Sequence, residues 1–363
     1  MKKSLFKLFI LILIIPVFGF TTDYPKGKFE KSTTIEKEFD VNADALLKIK
    51  NMYGNVDIAS WDKNKIAITV VITVNGSNED NVEKKLKSIY VEFEGTRSQV
   101  SAKTIIEKRS RNWSWWRSSN RHINYKINYT VKMPITNNLD LTNDYGAISL
   151  DKLKGKALIN SDYSRFDIGE LQNKNNEIKA DYLSSSSIDF INGGTINSDY
   201  SKISIDKANK IDLKADYTTM QFGTVTDLNY SCDYGSLKAD KVGSIIGNGD
   251  YISIRIGTLS KLLDIKADYG SLKVDNILKG FSIVKVDTDY TSGMRFGFEK
   301  ESAFDFIIDM QYARFKYDDM ALDFRRKIIK STSKYYEGFY RKQNSGSTVN
   351  INVEYGSVSF YNN

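Results

Sequence analysis

The residues with the clearest chemical pattern are aspartates that recur at a nearly fixed spacing, each directly before a tyrosine. The members of this column are Asp144, Asp162, Asp181, Asp199, Asp216, Asp233, Asp250, Asp268 and Asp289. If successive members stack at the ~4.8 Å spacing of paired strands, neighbouring carboxylates repel by about 0.9 kcal/mol even in bulk water. The fold therefore has to offset a row of like charges.

Three interpretations of this aspartate column are open. The favoured one is structural, because an aspartate at the first position of a tight corner commonly accepts backbone N–H hydrogen bonds. Lys179, Lys214 and Lys266 each stand two residues before an aspartate and would neutralise part of the charge. Calcium or another hard cation along the column is the second interpretation. Paired carboxylates that act on a polysaccharide are the third, although a repeated column contains no unique pair.

Other catalytic groups are scarce in this chain. His122 is the only histidine, which argues against Ser-His-Asp and Cys-His catalysis and most zinc sites. There is no glycine-rich phosphate loop between a strand and a helix. Cys232 is the only cysteine, so a disulfide framework is absent, and we expect a buried small residue there. We therefore predict a protein that is not an enzyme, with no catalytic residue, metal site or cofactor.

The repeat itself predicts the architecture. Tyrosines follow at intervals of 17 to 22 residues from Tyr145 to Tyr312, and Tyr355 comes last. Alternating apolar residues precede Tyr217, and the alternation changes parity after Thr219, which indicates a strand, a corner and a second strand. The period is too short for a strand–helix–strand unit of roughly 30 residues. Stacked units of this kind predict an all-β fold, a β-solenoid.

A second column supports this register. The residues two before each tyrosine are nearly all small: Asn143, Ser161, Ala180, Ser198, Ala215, Cys232, Gly249, Ala267 and Thr288. The residues one position earlier are all polar. We expect the small residues to point inward, with the tyrosine ring inward or at the corner beside them, where stacked rings gain energy beyond area burial. The alternative places the tyrosine at the corner with its hydroxyl in water.

The chain divides into three predicted segments. Residues 1–20 have the pattern of a secretory signal peptide, with Lys2, Lys3 and Lys7 before an apolar run too short for a comfortable span; an uncleaved anchor is the alternative. Residues 21–138 form an N-terminal β-rich region with a degenerate repeat near Tyr53. A long strand over residues 66–74 and a short helix capped by Ser77 or Asn78 make a small α+β element that covers one solenoid end. Residues 139–363 are the β-solenoid of Asp-Tyr repeats.

Charge is unevenly distributed. Removing the three signal lysines lowers the net charge from +7 to +4, yet residues 97–132 carry +8 and residues 322–342 carry +5. Three tryptophans lie in the first basic stretch, where Trp115 and Trp116 would point to opposite sides of an extended chain. Aromatic and basic residues together bind single-stranded nucleic acid, but export favours a sugar, an anionic lipid or a protein. The candidate ligand-binding residues are Trp113, Trp115, Trp116 and Arg117; the alternative is a hairpin loop whose tryptophans fold back onto the α+β element.

Two segments carry a resemblance to a known family. The Tyr53-Gly54-Asn55-Val56 stretch with Trp61, and the segment at residues 123–146, INYKINYTVKMPITNNLDLTNDYG, resemble the bacterial exported putative-adhesin family of β-strand-repeat envelope proteins. The resemblance implies a right-handed β-solenoid-like fold and an envelope location. It brings no catalytic residues with it.

Together these observations predict an exported, non-enzymatic β-solenoid that acts as an adhesin-like or structural component of the cell envelope. The expected location is the periplasm or the cell surface. The expected partner is an envelope glycan, an anionic lipid surface or another protein, not nucleic acid. A polysaccharide-active enzyme on a β-solenoid and a periplasmic scaffold or sensor that binds a protein are the alternatives. The oligomeric state stays open.

Overall fold

The computed structural model describes residues 27–107, 123–317 and 320–363. The described chain is almost entirely β-structure with one α-helix, as the repeat predicts. It forms two compact units, which divide after Asp151. The predicted boundary between residues 138 and 139 stays a prediction. Within the described ranges, no α-helix has both the length and the apolar character needed to span a bilayer.

The described residues of the first unit form one helix and nine strands, the last of which ends just beyond Asp151. The elements are β1 (Phe29–Asp40), β2 (Leu46–Met52), β3 (Val56–Trp61), β4 (Lys65–Gly76), α1 (Glu79–Lys87), β5 (Ile89–Gly95), β6 (Gln99–Ile106), β7 (Ile123–Pro134), β8 (Asn138–Asp144) and β9 (Ile148–Leu153). β2 pairs in parallel with β6 and β8, and β3 pairs in parallel with β7 and β9. The degenerate repeat near Tyr53 is therefore a true coil, stacked between two others.

Antiparallel strands extend both sets of parallel strands in the first unit. β4 pairs with β7 and β1 pairs with β4, while β5 pairs with β6. The predicted strand over residues 66–74 lies inside β4 and alternates strictly between buried and half-buried residues. Helix α1 begins after Asn78, whose side chain accepts a hydrogen bond from the Asn81 N–H at 3.0 Å, which satisfies one of the free donors of the first turn. The strand and the helix of the predicted α+β element are confirmed, and its coverage of one solenoid end stays a prediction.

The second unit is a stack of coils. Its strands are β10 (Ala157–Asp162), β11 (Phe166–Leu171), β12 (Asn176–Asp181), β13 (Ser186–Asn197), β14 (Lys202–Lys214), β15 (Thr219–Ser231), β16 (Ser236–Asn248), β17 (Ser253–Lys266), β18 (Ser271–Ile277), β19 (Ile283–Asp289), β20 (Met294–Phe298), β21 (Phe304–Gln311), β22 (Arg314–Lys316), β23 (Leu322–Ile329), β24 (Ser333–Tyr340), β25 (Thr348–Glu354) and β26 (Ser357–Asn362). Successive coils pair in parallel, each residue above its equivalent in the coil before.

Equivalent apolar positions of successive coils form continuous buried columns. Ile203 pairs with Met220, Met220 with Leu237 and Leu237 with Ile254, and all four are buried. Each coil thus buries its apolar face only because the next coil covers it, which is how a solenoid obtains a core from short strands. The predicted β-solenoid is confirmed.

The central coils differ in one respect from the predicted pattern of two strands per coil. Strands β13 to β17 each run through 12 to 14 residues, from just after one Asp-Tyr pair to just before the next. Asp206 and Lys207 are both exposed, which interrupts the alternation in β14 and marks a bend. The strand continues through this bend because pairing with the neighbouring coils continues on both sides of it. The Asp-Tyr corner is the one break in each of these coils.

The C-terminal strands do not stack in sequence order. β25 pairs in parallel with both β19 and β21, and β26 pairs with both β20 and β22. The last coil of the chain therefore lies between two earlier coils. Beyond it, β24 pairs antiparallel with β21, and β23 pairs antiparallel with β24. This hairpin holds most of the basic residues between 322 and 342.

Candidate functional site

The repeated tyrosines of the second unit stack face to face in one row, here called the tyrosine ladder. Its members, in spatial order, are Tyr163, Tyr182, Tyr200, Tyr217, Tyr234, Tyr251, Tyr269, Tyr290, Tyr355 and Tyr312. Neighbouring ring centroids lie 4.6–5.1 Å apart and the ring planes differ by 1–6°. The spacing follows that of paired strands, so the backbone ladder sets the distance between the rings.

In the first unit, a shorter stack of tyrosine rings is covered at one end by Tyr125 and Lys85. The rings of Tyr53 and Tyr145 stack at 5.2 Å, and Tyr125 meets Tyr53 edge to face at 5.3 Å. The Lys85 ammonium lies 4.4 Å from the centroid of the Tyr125 ring, a cation–π contact. Burial lowers the pKa of Lys85 and raises the pKa of Tyr125.

The tyrosine rings are expected to lie inward or at the corner, and the inward position is wrong. Rings of the tyrosine ladder are 40–57% exposed, and the alternative of a corner position with the hydroxyl in water is the correct one. The reason is the backbone: each of these tyrosines has a positive φ, for example 53° at Tyr217. The left-handed conformation turns the chain at the tyrosine, so its side chain leaves the alternation that Ile211 and Leu213 follow into the core.

The predicted small column is confirmed. Ser161, Ala180, Ser198, Ala215 and Cys232 are all buried. Burial raises the pKa of the Cys232 thiol to about 12, which is the behaviour of a packed small residue. The small side chains are needed because the chain turns sharply two residues later.

A left-handed tyrosine is energetically costly. The conformation brings Cβ close to the following carbonyl oxygen and costs roughly 1–2 kcal/mol for a residue other than glycine. Stacked aromatic pairs contribute about 0.5–1.5 kcal/mol each beyond their burial, and every internal ring of the ladder has two such neighbours. Ring stacking therefore offsets the backbone strain of each corner.

Buried hydroxyl groups fix the chain just after the corner. The Thr218 hydroxyl contacts the Ser198 carbonyl oxygen at 2.9 Å and accepts a hydrogen bond from the Ser201 N–H at 3.2 Å. The Ser201 hydroxyl in turn accepts one from the Leu183 N–H at 3.0 Å. These bonds link one corner to the next and satisfy backbone groups that the turn removes from the strand ladder.

The aspartates form a second row beside the rings, here called the aspartate ladder: Asp162, Asp181, Asp199, Asp216, Asp233, Asp250, Asp268 and Asp289. From Asp181 to Asp268, each carboxylate accepts a hydrogen bond from the backbone N–H of the next member, with N···O distances of 2.7–3.2 Å. The structural interpretation of this column predicted such bonds to backbone N–H groups. Within the described residues, no group of three or more His, Cys, Asp or Glu side chains has the arrangement of a metal site.

At the two ends of the aspartate ladder the carboxyl groups have raised pKa values, in part because of neighbouring carboxylates. Burial and then the neighbouring Asp181 raise the pKa of Asp162. Burial, followed by Asp268 and Asp287, raises the pKa of Asp289, and Lys266 opposes this shift. Ionisation of these two carboxyl groups therefore costs more in the folded protein than in the unfolded chain.

A surface depression of about 440 Å³ runs across four coils beside the tyrosine ladder. It is lined by Asp181, Asp199, Asp216 and Asp233 together with Lys179, Lys214, Asn197, Ser198, Ala215 and Ser231. Each coil contributes residues from one to three positions before its corner tyrosine, so the same kinds of donor and acceptor recur along the solenoid axis.

The residues predicted to bind a ligand, Trp113, Trp115, Trp116 and Arg117, lie outside the described residues, as does His122. The described part of the chain shows only the two strands that flank them, β6 and β7. The sequence analysis did not identify the row of half-exposed tyrosines as a candidate binding surface. A signal for it was present: each tyrosine directly follows an acidic or polar residue at a corner, where left-handed backbone is common.

Comparisons with known proteins give likenesses of fold. No family model matches the chain, and no curated protein matches it either. A putative cell adhesion protein from Clostridium sporogenes is 11% identical over 92% of this chain and 100% of that one, with a TM-score of 0.17. A putative adhesin from Parabacteroides distasonis is 11% identical over 72% and 95%, with a TM-score of 0.34. A putative adhesin from Bacteroides fragilis is 9% identical over 90% and 97%, with a TM-score of 0.22.

These names agree with the family resemblance noted from the sequence. At such identities and TM-scores, the likeness carries no argument about what this chain binds.

Proposed function

We propose that this chain is an exported, non-enzymatic, adhesin-like or structural component of the cell envelope, with the tyrosine and aspartate ladders as its binding surface. The observation that carries the proposal is the uninterrupted row of half-exposed rings from Tyr163 to Tyr312. Such a row offers the same contact at every coil. A partner that repeats along its own length gains from many weak contacts made at once.

The chemistry of the surface favours a hydroxyl-rich polymer. Because each ring face inside the ladder is covered by the next ring, only ring edges and phenol hydroxyls are available to a partner. Burial and neighbouring tyrosines raise the pKa of Tyr182 and Tyr234, so these hydroxyls stay protonated at neutral pH and donate hydrogen bonds. Adjacent carboxylates accept bonds but repel anions. The best-fitting ligand is therefore an uncharged envelope glycan that lies along the solenoid axis.

The same repetition supports binding over turnover. Hydrolysis of a glycoside by two carboxyl groups requires different roles for the two, which different environments provide. Inside the aspartate ladder, Asp199, Asp216, Asp233 and Asp250 share the same hydrogen-bond pattern. An assay for turnover of both uncharged and acidic polysaccharides separates the two functions, and we expect no product from either.

Export is the part of the proposal that rests on the N-terminal sequence. The basic start and apolar run of residues 1–20 support cleavage near residues 19 to 22. Mass spectrometry of the N-terminus of the mature protein tests this. An intact N-terminus would argue for an anchor instead.

The binding surface is tested by removing hydroxyl groups and keeping the rings. The triple variant Tyr200→Phe, Tyr217→Phe and Tyr234→Phe preserves the stack, so we expect an unchanged melting temperature and weaker cosedimentation with uncharged envelope glycan. A matched control, Thr224→Val with Thr226→Val, removes exposed hydroxyls elsewhere on the same solenoid and is expected to bind normally. Wild-type protein that binds no envelope fraction contradicts the function; a triple variant that binds normally contradicts only the site.

A further inference from the structure

Four strands have a single strand partner in the described part of the chain: β1 pairs only with β4, β5 with β6, β22 with β26 and β23 with β24. The two longest of these edge strands are β1, with 12 residues, and β23, with 8. Each therefore has a second side on which backbone N–H and C=O groups have no strand partner. Open edges of this kind template pairing with another chain, and proteins usually protect them with charge.

The edge strand β1 is acidic. Glu30, Glu36, Glu38 and Asp40 are all exposed, whereas its two lysines are only half-exposed, and the strand has a net charge of −2. Lys31 is moreover held by Glu79 and Glu83 of α1, with N···O distances of 3.0 and 3.1 Å. Lys65 of β4 binds Glu38 and Asp40, so the negative charge that β1 presents to another molecule comes mainly from Glu30 and Glu36.

The edge strand β23 is basic. Arg325, Arg326 and Lys327 are exposed and outnumber Asp323, which gives a net charge of +2. Arg325 is bound to Asp305 of β21 at 2.8 Å. Arg326 instead lies over the Tyr335 ring, 5.4 Å from its centroid, a contact that leaves its charge uncompensated.

We propose that β1 of one copy pairs with β23 of a second copy, so that the chain assembles head to tail. For these two longest edges the charges favour this combination: two β1 edges repel each other, two β23 edges repel each other, and the mixed pair attracts. β1 has 12 residues and β23 has 8, so the whole length of β23 can find a partner. A heterologous contact of this kind builds a ring or an open filament, depending on whether the rotation closes.

This assembly does not depend on the proposed glycan-binding function. Its first test is the weight-average mass of the purified protein, measured by sedimentation and light scattering over a range of protein concentrations. We expect the mass to rise with concentration at low salt and to fall as salt is added, because exposed charges are screened. A mass that stays at the monomer value at every concentration, or an association that salt does not weaken, overturns the proposal.

Charge reversal then tests the pairing itself. Glu30→Lys with Glu36→Lys makes β1 basic, and Arg326→Glu with Lys327→Glu makes β23 acidic. Each double variant alone then carries two like-charged edges, and we expect it to stay monomeric. Mixing the two double variants restores opposite charges, as does combining all four substitutions in one chain, and association is expected to return in both cases.

The mixing arm also separates loss of pairing from loss of folding, because an unfolded variant does not regain association. The matched control Asp189→Lys reverses an exposed charge on β13 and is expected to associate like wild type. Association that survives either double reversal, or double variants that stay monomeric when mixed although they fold, overturns the proposal.

Discussion

The backbone N–H of Asp233 donates a hydrogen bond to the carboxylate of Asp216, one coil earlier, at 3.0 Å. The same bond recurs along the aspartate ladder. Each carboxylate therefore both repels its neighbours and binds the backbone of the next corner. The hydrogen bond is what makes a row of like charges compatible with a stable stack.

Replacing Asp216 with asparagine should cost little stability or slightly increase it. The asparagine carbonyl oxygen still accepts the Asp233 N–H, while the repulsion from Asp199 and Asp233 disappears. Asp216→Ala removes the acceptor and should cost about 0.5–1.5 kcal/mol. Thermal unfolding with and without a chelator is the measurement, and we expect the chelator to have no effect. A calcium-dependent rise of many degrees would favour a cation along the ladder instead.

Asp289→Asn should stabilise the protein at neutral pH but not in acid. The pKa of Asp289 is raised in the folded state, first by burial and then by Asp268 and Asp287. Its ionised form therefore destabilises the fold above the raised pKa, and this penalty disappears as the pH falls below the ordinary value of 3.8. Urea unfolding at neutral pH and below pH 3.8 tests the prediction. A stability difference independent of pH would mean that the carboxylate acts through packing.

Ala215→Leu should destabilise the protein by roughly 1–3 kcal/mol, because Ala215 is buried in the small column and a larger side chain overpacks it. Lys214→Leu, one residue earlier and exposed, should be nearly neutral. Chemical denaturation of both variants provides the comparison. Equal effects would be inconsistent with the register of the coils.

The stacked rings should contribute more than the hydroxyl groups to the free energy of unfolding. Tyr217 lies 4.8 Å from Tyr200 and 5.0 Å from Tyr234, with a φ of 53°. Tyr217→Phe keeps both stacks and should be neutral, whereas Tyr217→Ala loses them and should cost about 1–3 kcal/mol. Tyr217→Gly loses the stacks but also the strain, so it should be about 1–2 kcal/mol more stable than the alanine variant.

Urea titrations of the three variants measure these differences. If phenylalanine were as damaging as alanine, the hydroxyl and not the ring would hold the corner.

The tryptophan-rich stretch remains a predicted second binding region. Replacing Trp115, Trp116 and Arg117 with alanine together should abolish attachment to an anionic glycan, lipid or protein surface, because aromatic and arginine residues dominate binding hot spots. The melting temperature should not change. Binding assays with isolated envelope material test this, and a collapsed fold would instead indicate a packing role.

Much of the fold could be predicted from the repeat. The period, the small column at Ala215 and the strand over residues 66–74 each follow from alternation and residue size, which depend only on local chain geometry. The direction of the tyrosine rings could not be predicted in this way. Strand parity places Tyr217 inward, and only the left-handed φ of 53° turns it outward.

The arrangement of the C-terminal coils could not be predicted from the spacing of the repeated tyrosines either. The Tyr312 and Tyr355 repeats have the same local pattern, and nothing near either residue indicates that Tyr355 stacks between Tyr290 and Tyr312. That order depends on long-range pairing of β25 with β19 and β21. The basic residues of 322–342 were visible as composition, but their place in an antiparallel hairpin was not.

The inserted position of β25 and β26 makes the coils on either side depend on one short segment, residues 348–362. Without this segment the flanking strands would have a gap between them, and the buried side chains of Val286 and Ile308 would lose their neighbours. Four strand edges, those of β19, β20, β21 and β22, would then be open at one place. A cut or a destabilising substitution in residues 348–362 therefore exposes more edge than the same change in an outer strand, and exposed edges favour proteolysis and aggregation.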